Sequence, residues 1–115
     1  MKKDLVLFFA VLLVAFSGFR AIIDAASVSE GKALFDSKCS ICHGPDGKGN
    51  QAMLAIVRGD IAKLDLTDKD TSKKTDAELS QTILNGKNPM QPFKSQISIK
   101  DIQNLLKYIK SLQSK

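Results

Sequence analysis

The chain has no tryptophan, one tyrosine, one histidine and two cysteines among its 115 residues, and each scarcity closes off a class of protein. Two cysteines cannot build the disulfide framework that small exported domains often use. A single histidine, His43, cannot offer two imidazoles to one metal. Arginine occurs only at Arg20 and Arg58, and no basic cluster is interleaved with aromatic side chains, so nucleic acid is not an expected partner. Strand-length alternation of apolar and polar residues is missing, as are internal repeats and low-complexity segments. The expected class is all-α, in one folded domain.

What is present begins at the N-terminus. Met1-Lys2-Lys3-Asp4 precedes an apolar run from Leu5 to Phe16, followed by Ser17-Gly18 and, beyond Arg20, by Ala25-Ala26. A basic start, a short apolar stretch and a small-residue exit form a secretory signal. This divides the chain into a signal peptide, residues 1–26, and a domain, residues 27–115. The alternative is an uncleaved anchor: the stretch from Leu5 to Ile23 approaches the length of a membrane span, although Arg20 interrupts it. A cut after Ala26 would leave Asp24 at the minus-three position, where a small residue is preferred. Export to the periplasm or an equivalent compartment is expected in either case, with membrane association only if the segment is retained.

Residues 27–115 can bury only a marginal core by themselves, so a large covalently held group would be a useful filler. Residues 1–26 hold Lys2, Lys3 and Arg20 against Asp4 and Asp24, a net of +1, so the remainder keeps +4 of the chain's +5. That lysine excess suits a soluble monomer steered toward a partner with an acidic surface.

Three helices are legible. Ser27 and Glu30 fit a capping box, and a helix is expected over residues 28–41. Residues 44–50 are turn material, residues 51–58 a short helix or apolar turn, and residues 59–74 an irregular surface stretch. A second capping box at Thr75 and Glu78 opens a helix that Asn85-Gly86 ends. Pro89 and Pro92 keep the next loop irregular. Ser98 caps the last helix, on which Ile102, Leu105, Leu106, Ile109 and Leu112 make one apolar stripe.

The chemistry is concentrated in Cys39-Ser40-Ile41-Cys42-His43. In a C-x-x-C-H pattern, two thiols three positions apart can form thioethers with the two vinyl groups of one haem, and the adjacent histidine can ligate the iron. A thiol–disulfide centre uses the same cysteine spacing but normally follows a strand in a βαβ pattern, which is missing here. Zinc would be one ligand short of a closed structural site. With His43 as one axial ligand, the opposite position falls to a methionine, to something weaker such as lysine or a backbone group, or to nothing. Met90, between Pro89 and Pro92, is favoured because its loop can present the thioether to a metal. Met53, opening the run Met53-Leu54-Ala55-Ile56-Val57, reads better as a core residue.

These residues resemble the class I c-type cytochromes, in particular the small soluble monohaem forms such as cytochrome c6, c-551 and c-553. The likeness extends over residues 28–115. Cys39 to Gly44 with Asp46-Gly47-Lys48-Gly49 is similar to the family's haem-binding stretch. Leu64-Asp65-Leu66-Thr67 is similar to its middle loop, and Ile83 to Lys87 leading to Met90 and Phe93 to its distal-ligand loop. Gly31 with Phe35, and Leu105 with Tyr108, fall where the family crosses its first and last helices. The resemblance implies three or four helices wrapped around one covalent haem c, thioethers from Cys39 and Cys42, His43 as proximal ligand and Met90 as distal ligand. It implies one-electron transfer between redox partner proteins through an exposed haem edge, not catalysis. A dedicated haem subunit of a periplasmic dehydrogenase or oxidase complex is the alternative. Gln91 is a departure, since the family often follows its methionine directly with proline.

Overall fold

The first helix sets the shape of the molecule. The computed structural model describes residues 1–115, the side chains of Ala15 and Ser17 apart. Helix α1 runs without interruption over Lys2–Lys38, because nothing between Phe19 and Glu30 is a glycine or proline that would break it. The expected cap at Ser27 is therefore not formed. Ser27 lies inside the helix, and its hydroxyl donates to the Ile23 carbonyl at 3.0 Å. Glu30, expected to close that box, instead accepts from the Asn104 side-chain amide at 2.6 Å. The apolar N-terminal half of α1 is exposed and the molecule extends 71 × 29 × 22 Å; the folded domain gathers around the C-terminal part of α1.

After α1 the chain turns at Cys39 into a single helical turn, α2, Ser40–His43. The stretch from residue 51 to 57 is a 3-10 helix, Gln51–Val57. The segment expected to be irregular contains two further short turns, a 3-10 helix Ile61–Leu64 and α3, Lys69–Ser72, which Asp68 caps with its carboxylate. Helices α4, Asp76–Asn85, and α5, Ile99–Gln113, both start on reciprocal caps as the sequence predicts. At α4 the Thr75 N–H donates to Glu78 Oε2 at 2.7 Å and the Glu78 N–H to Thr75 Oγ1 at 3.2 Å. At α5 the Ser98 N–H donates to Asp101 Oδ2 at 2.9 Å and the Asp101 N–H to Ser98 Oγ at 3.1 Å. Among the described residues there is no strand, only an isolated bridge between Lys87 and Met90.

The core forms where α1 crosses α5. Gly31 is buried there, and a Cβ on it would stand 2.0 Å from the Asn104 carbonyl oxygen. The two backbones can touch only because that atom is missing. One turn on, Phe35 is fully buried and meets Tyr108 edge-on, with ring centroids 5.2 Å apart, a favourable aromatic geometry. The whole expected stripe of α5 is buried, together with Leu79, Ile83 and Phe93 from α4 and its following loop.

Gly31→Ala should lower the stability of the folded protein by about 3 kcal/mol, the scale of a forced overpacking, read as a lower denaturant midpoint. Ser98→Ala should cost about 1 kcal/mol, the usual loss for an N-cap, in the same assay.

Candidate cofactor site

The C-x-x-C-H segment lies at the end of the α1–α5 crossing, so its position is set by the best-packed part of the fold. Cys39 closes α1, donating its N–H to the Phe35 carbonyl at 2.8 Å, four residues after the buried aromatic. The Cys42 and His43 N–H groups both donate to the Cys39 carbonyl, at 3.2 and 3.0 Å. Both thiols are free and half-buried. Burial pushes the Cys39 thiol up to about 11. Burial also lowers the His43 imidazole from its ordinary value, which favours the neutral ring.

His43 is tied across the chain by one hydrogen bond. Its Nδ1 lies 2.8 Å from the carbonyl oxygen of Leu64. A carbonyl can only accept, so Nδ1 carries the proton, and Nε2 of the neutral ring keeps a free lone pair. This is the tautomer that a metal-binding imidazole adopts when its other nitrogen is held by a backbone carbonyl. The loop supplying that carbonyl is itself pinned: the Leu66 N–H donates to the Gly47 carbonyl at 2.7 Å, and the Gln113 side-chain amide at the end of α5 donates to the Leu66 carbonyl at 2.8 Å.

Asn50 holds the other side of the motif. Its N–H donates to the Cys42 carbonyl at 2.9 Å and its side-chain amide to the Ile41 carbonyl at 2.7 Å, while its Oδ1 caps the 3-10 helix at Ala52. Sequence reasoning missed Asn50, although an asparagine just before an apolar helical run is a capping signal. It missed Gln113 and the role of the Leu64 carbonyl too, for which no sequence signal exists because a backbone oxygen has no residue identity.

Met90 reaches the same core from the opposite end of the chain. The Lys87 N–H donates to the Met90 carbonyl at 3.0 Å and the Met90 N–H to the Lys87 carbonyl at 2.8 Å, which closes a tight loop. Phe93 and Lys94 then fasten that loop to α4 by donating to the Ile83 and Leu84 carbonyls at 3.0 and 3.2 Å. Gly86 makes the loop possible: it has φ +72°, and a Cβ on it would lie 2.7 Å from the Met90 carbonyl oxygen. Met90 and Cys39 are both half-buried and pack against one core cluster. Met53 is half-buried on the 3-10 helix 51–57.

The donor set fits a haem better than an ion. Among the described residues no three His, Cys, Asp or Glu side chains group closely enough to hold one metal ion. Two thiols and an imidazole that do not converge suit attachment spread over a large ring. Surface clefts of about 590 and 460 Å³ are lined by other residues, chiefly of α4, α5 and the 92–95 segment, and do not include Cys39, Cys42, His43 or Met90.

Comparison with known proteins gives the family. The profile of the family described as cytochrome c oxidase, cbb3-type, subunit III matches residues 26–109. The chain is 30% identical to cytochrome c6 of Pyropia yezoensis over 115 residues, covering 100% of this chain and 98% of that one. The chain belongs to the class I c-type cytochromes. Cytochrome c6 of a Picosynechococcus species is 31% identical over 112 residues, 95% of this chain and 92% of the relative. Cytochrome c6 of Gracilaria tenuistipitata var. liui is 31% identical over 85 residues, 74% and 72% of the two chains. No solved structure matches the chain at a significant level. As a cytochrome of this family the protein has the all-α cytochrome c fold, carries one covalently attached haem c, and is an electron carrier, not an enzyme.

Asn50→Ala removes the amide tie to Ile41 and the cap on the 3-10 helix. The cytochrome should lose about 1–2 kcal/mol of stability, since net hydrogen bonds and caps are of that size. Thermal unfolding of the haem-loaded protein checks this.

Proposed function

We propose that this cytochrome is exported and carries one electron at a time between redox proteins, with its haem attached through Cys39 and Cys42, His43 as proximal ligand and Met90 as distal ligand. The observation that supports it most is the His43–Leu64 hydrogen bond: it leaves Nε2 of the imidazole free to ligate, and because the chain has one histidine the opposite side falls to a non-histidine ligand. Met90 is the better candidate because its loop is closed at Gly86, bridged at Lys87 and fastened to α4, so the backbone that carries the thioether is held in place.

When bound, haem supplies a couple between ferric and ferrous iron. The protein's share is to position and tune. The Leu64 carbonyl orients His43 and raises the basicity of its free nitrogen. A thioether from Met90 favours the reduced state, and apolar burial disfavours the extra positive charge of the oxidised one; both raise the potential. If His43 and Met90 both hold the haem, no open position would be left on it for a substrate.

Ile41, inside the motif, and Ile56 are large apolar side chains left exposed, 60% and 43%; Lys48, in the loop after the motif, and Lys87, in the Met90 loop, are exposed as well. Exposed apolar side chains together with a lysine excess suit brief encounters with a partner whose docking surface is acidic. The protein acts as a monomer in this reading.

A second reading is favoured by the description of the matching family, an oxidase subunit. The same haem site would then serve as a fixed relay inside a larger complex. Stable co-purification with a catalytic subunit would support that relay; a monomer on gel filtration would support the free carrier.

Met90→Ala should abolish the methionine–iron charge-transfer band, lower the potential and open the iron to carbon monoxide. An unchanged spectrum would move the distal role to another group, Met53 first. His43→Ala should leave little or no mature haem protein, measured by haem stain of denatured protein. Electron-transfer rate with an acidic partner should fall as ionic strength rises.

A further inference from the structure

We infer that Gln113, the last residue of α5, is a positioning residue for the haem: its side-chain amide fixes the loop whose Leu64 carbonyl holds His43, and so sets how strongly the imidazole donates to the iron. The inference deepens the proposed function and rests on its assignment of His43 as proximal ligand.

The acceptor on His43 is a main-chain oxygen, so its direction is decided by the peptide units around it. Leu64 itself is buried. In its own peptide unit the Asp65 N–H donates to the Ala62 carbonyl at 3.2 Å. In the next unit the Leu66 N–H donates to the Gly47 carbonyl at 2.7 Å. In the third, the Thr67 N–H returns to Asp65 Oδ1 at 2.7 Å, and the Leu66 carbonyl accepts from Gln113 Nε2 at 2.8 Å. A carbonyl can only accept, so the amide nitrogen of Gln113 is the atom that faces it. The bonds to Ala62 and Asp65 are local to the loop. The bond to Gly47 ties the loop to the turn after the motif. The bond from Gln113 ties it to α5, 47 residues away in sequence. Through Gln113 the well-packed α1–α5 joint therefore reaches the carbonyl that orients the ligand.

Packing and bonding are separable here. The neighbouring Leu112 is buried over Gly47, where a Cβ would stand 3.0 Å from its Cδ1. Leu112 thus keeps the end of α5 against the turn, but an apolar contact has no direction. The Gln113 amide has one, and it acts two residues from the Leu64 carbonyl.

The sign of the effect follows. A firm bond from Nδ1 to Leu64 raises the basicity of Nε2, and a more basic ligand favours the more positive ferric iron. Without the Gln113 amide the 64–66 loop is freer, the His43–Leu64 bond weakens, and the equilibrium moves toward ferrous iron.

The test uses the haem-loaded protein with nitrogen-15 in its histidine. Gln113→Leu keeps the bulk and removes the donor; Gln113→Asn keeps an amide but is one methylene short. In the ferrous protein both should exchange the His43 Nδ1 proton up to about tenfold faster, the size of one net hydrogen bond. Both should also raise the potential, read as a several-fold larger ferrous-to-ferric ratio at the poise that half-reduces the unsubstituted protein. Leu112→Ala should lower the denaturant midpoint more than either and move the potential less. Unchanged exchange and potential in Gln113→Leu overturn the inference, as does an equal shift of potential in Leu112→Ala, which would make the effect one of general loosening. The ferric unsubstituted protein keeps the two readings apart. His43 resonances unshifted by the iron defeat the proximal assignment and the role of Gln113 with it. Shifted resonances with an inert Gln113→Leu defeat the role of Gln113 alone.

Discussion

The contact on which the rest depends is the one between the α1 and α5 backbones at Gly31. Since a Cβ there would sit 2.0 Å from the Asn104 carbonyl, the helices approach as closely as two main chains can. That crossing buries Phe35 against Tyr108 and leaves α1 to end one turn later, at Cys39. The attachment motif is therefore delivered by the most tightly packed joint in the molecule, and its cysteines inherit that joint's rigidity. A small domain has few such joints, and this one uses its best on the segment where position matters most.

Around that joint the site is assembled from main-chain groups more than from side chains. His43 is oriented by a carbonyl, the 47–66 contact is backbone to backbone, and the Met90 loop closes on itself and on α4 through peptide groups. Only Asn50 and Gln113 contribute side-chain amides, and both bond to carbonyls. Such a frame tolerates change in most side chains. This accords with relatives about 30% identical over the whole chain.

The helical assignment of the sequence was accurate where the signal was local. The caps at Thr75 and Ser98, the stop at Gly86 and the buried stripe of α5 were all legible, because a cap or a helical period is written within a few residues. The cap at Ser27 was not, although its spacing matched as well. A capping box needs a helix that begins there, and the apolar run before it continues the helix instead. The short turns at 61–64 and 69–72 were passed over as irregular: their apolar content is too small to show a period.

By itself the sequence determined the chemistry: a C-x-x-C-H motif, one histidine, and a methionine between two prolines leave few ways to hold a haem. Covalent identity and local spacing are sequence properties, so they need no fold to be read. Only the tertiary structure decided which nitrogen of His43 is free, which amides pin the motif, and that α1 passes unbroken from an exposed apolar rod into the core. Those depend on which backbone carbonyl a distant segment presents and on what covers a helix face, and both are consequences of packing that no local pattern encodes.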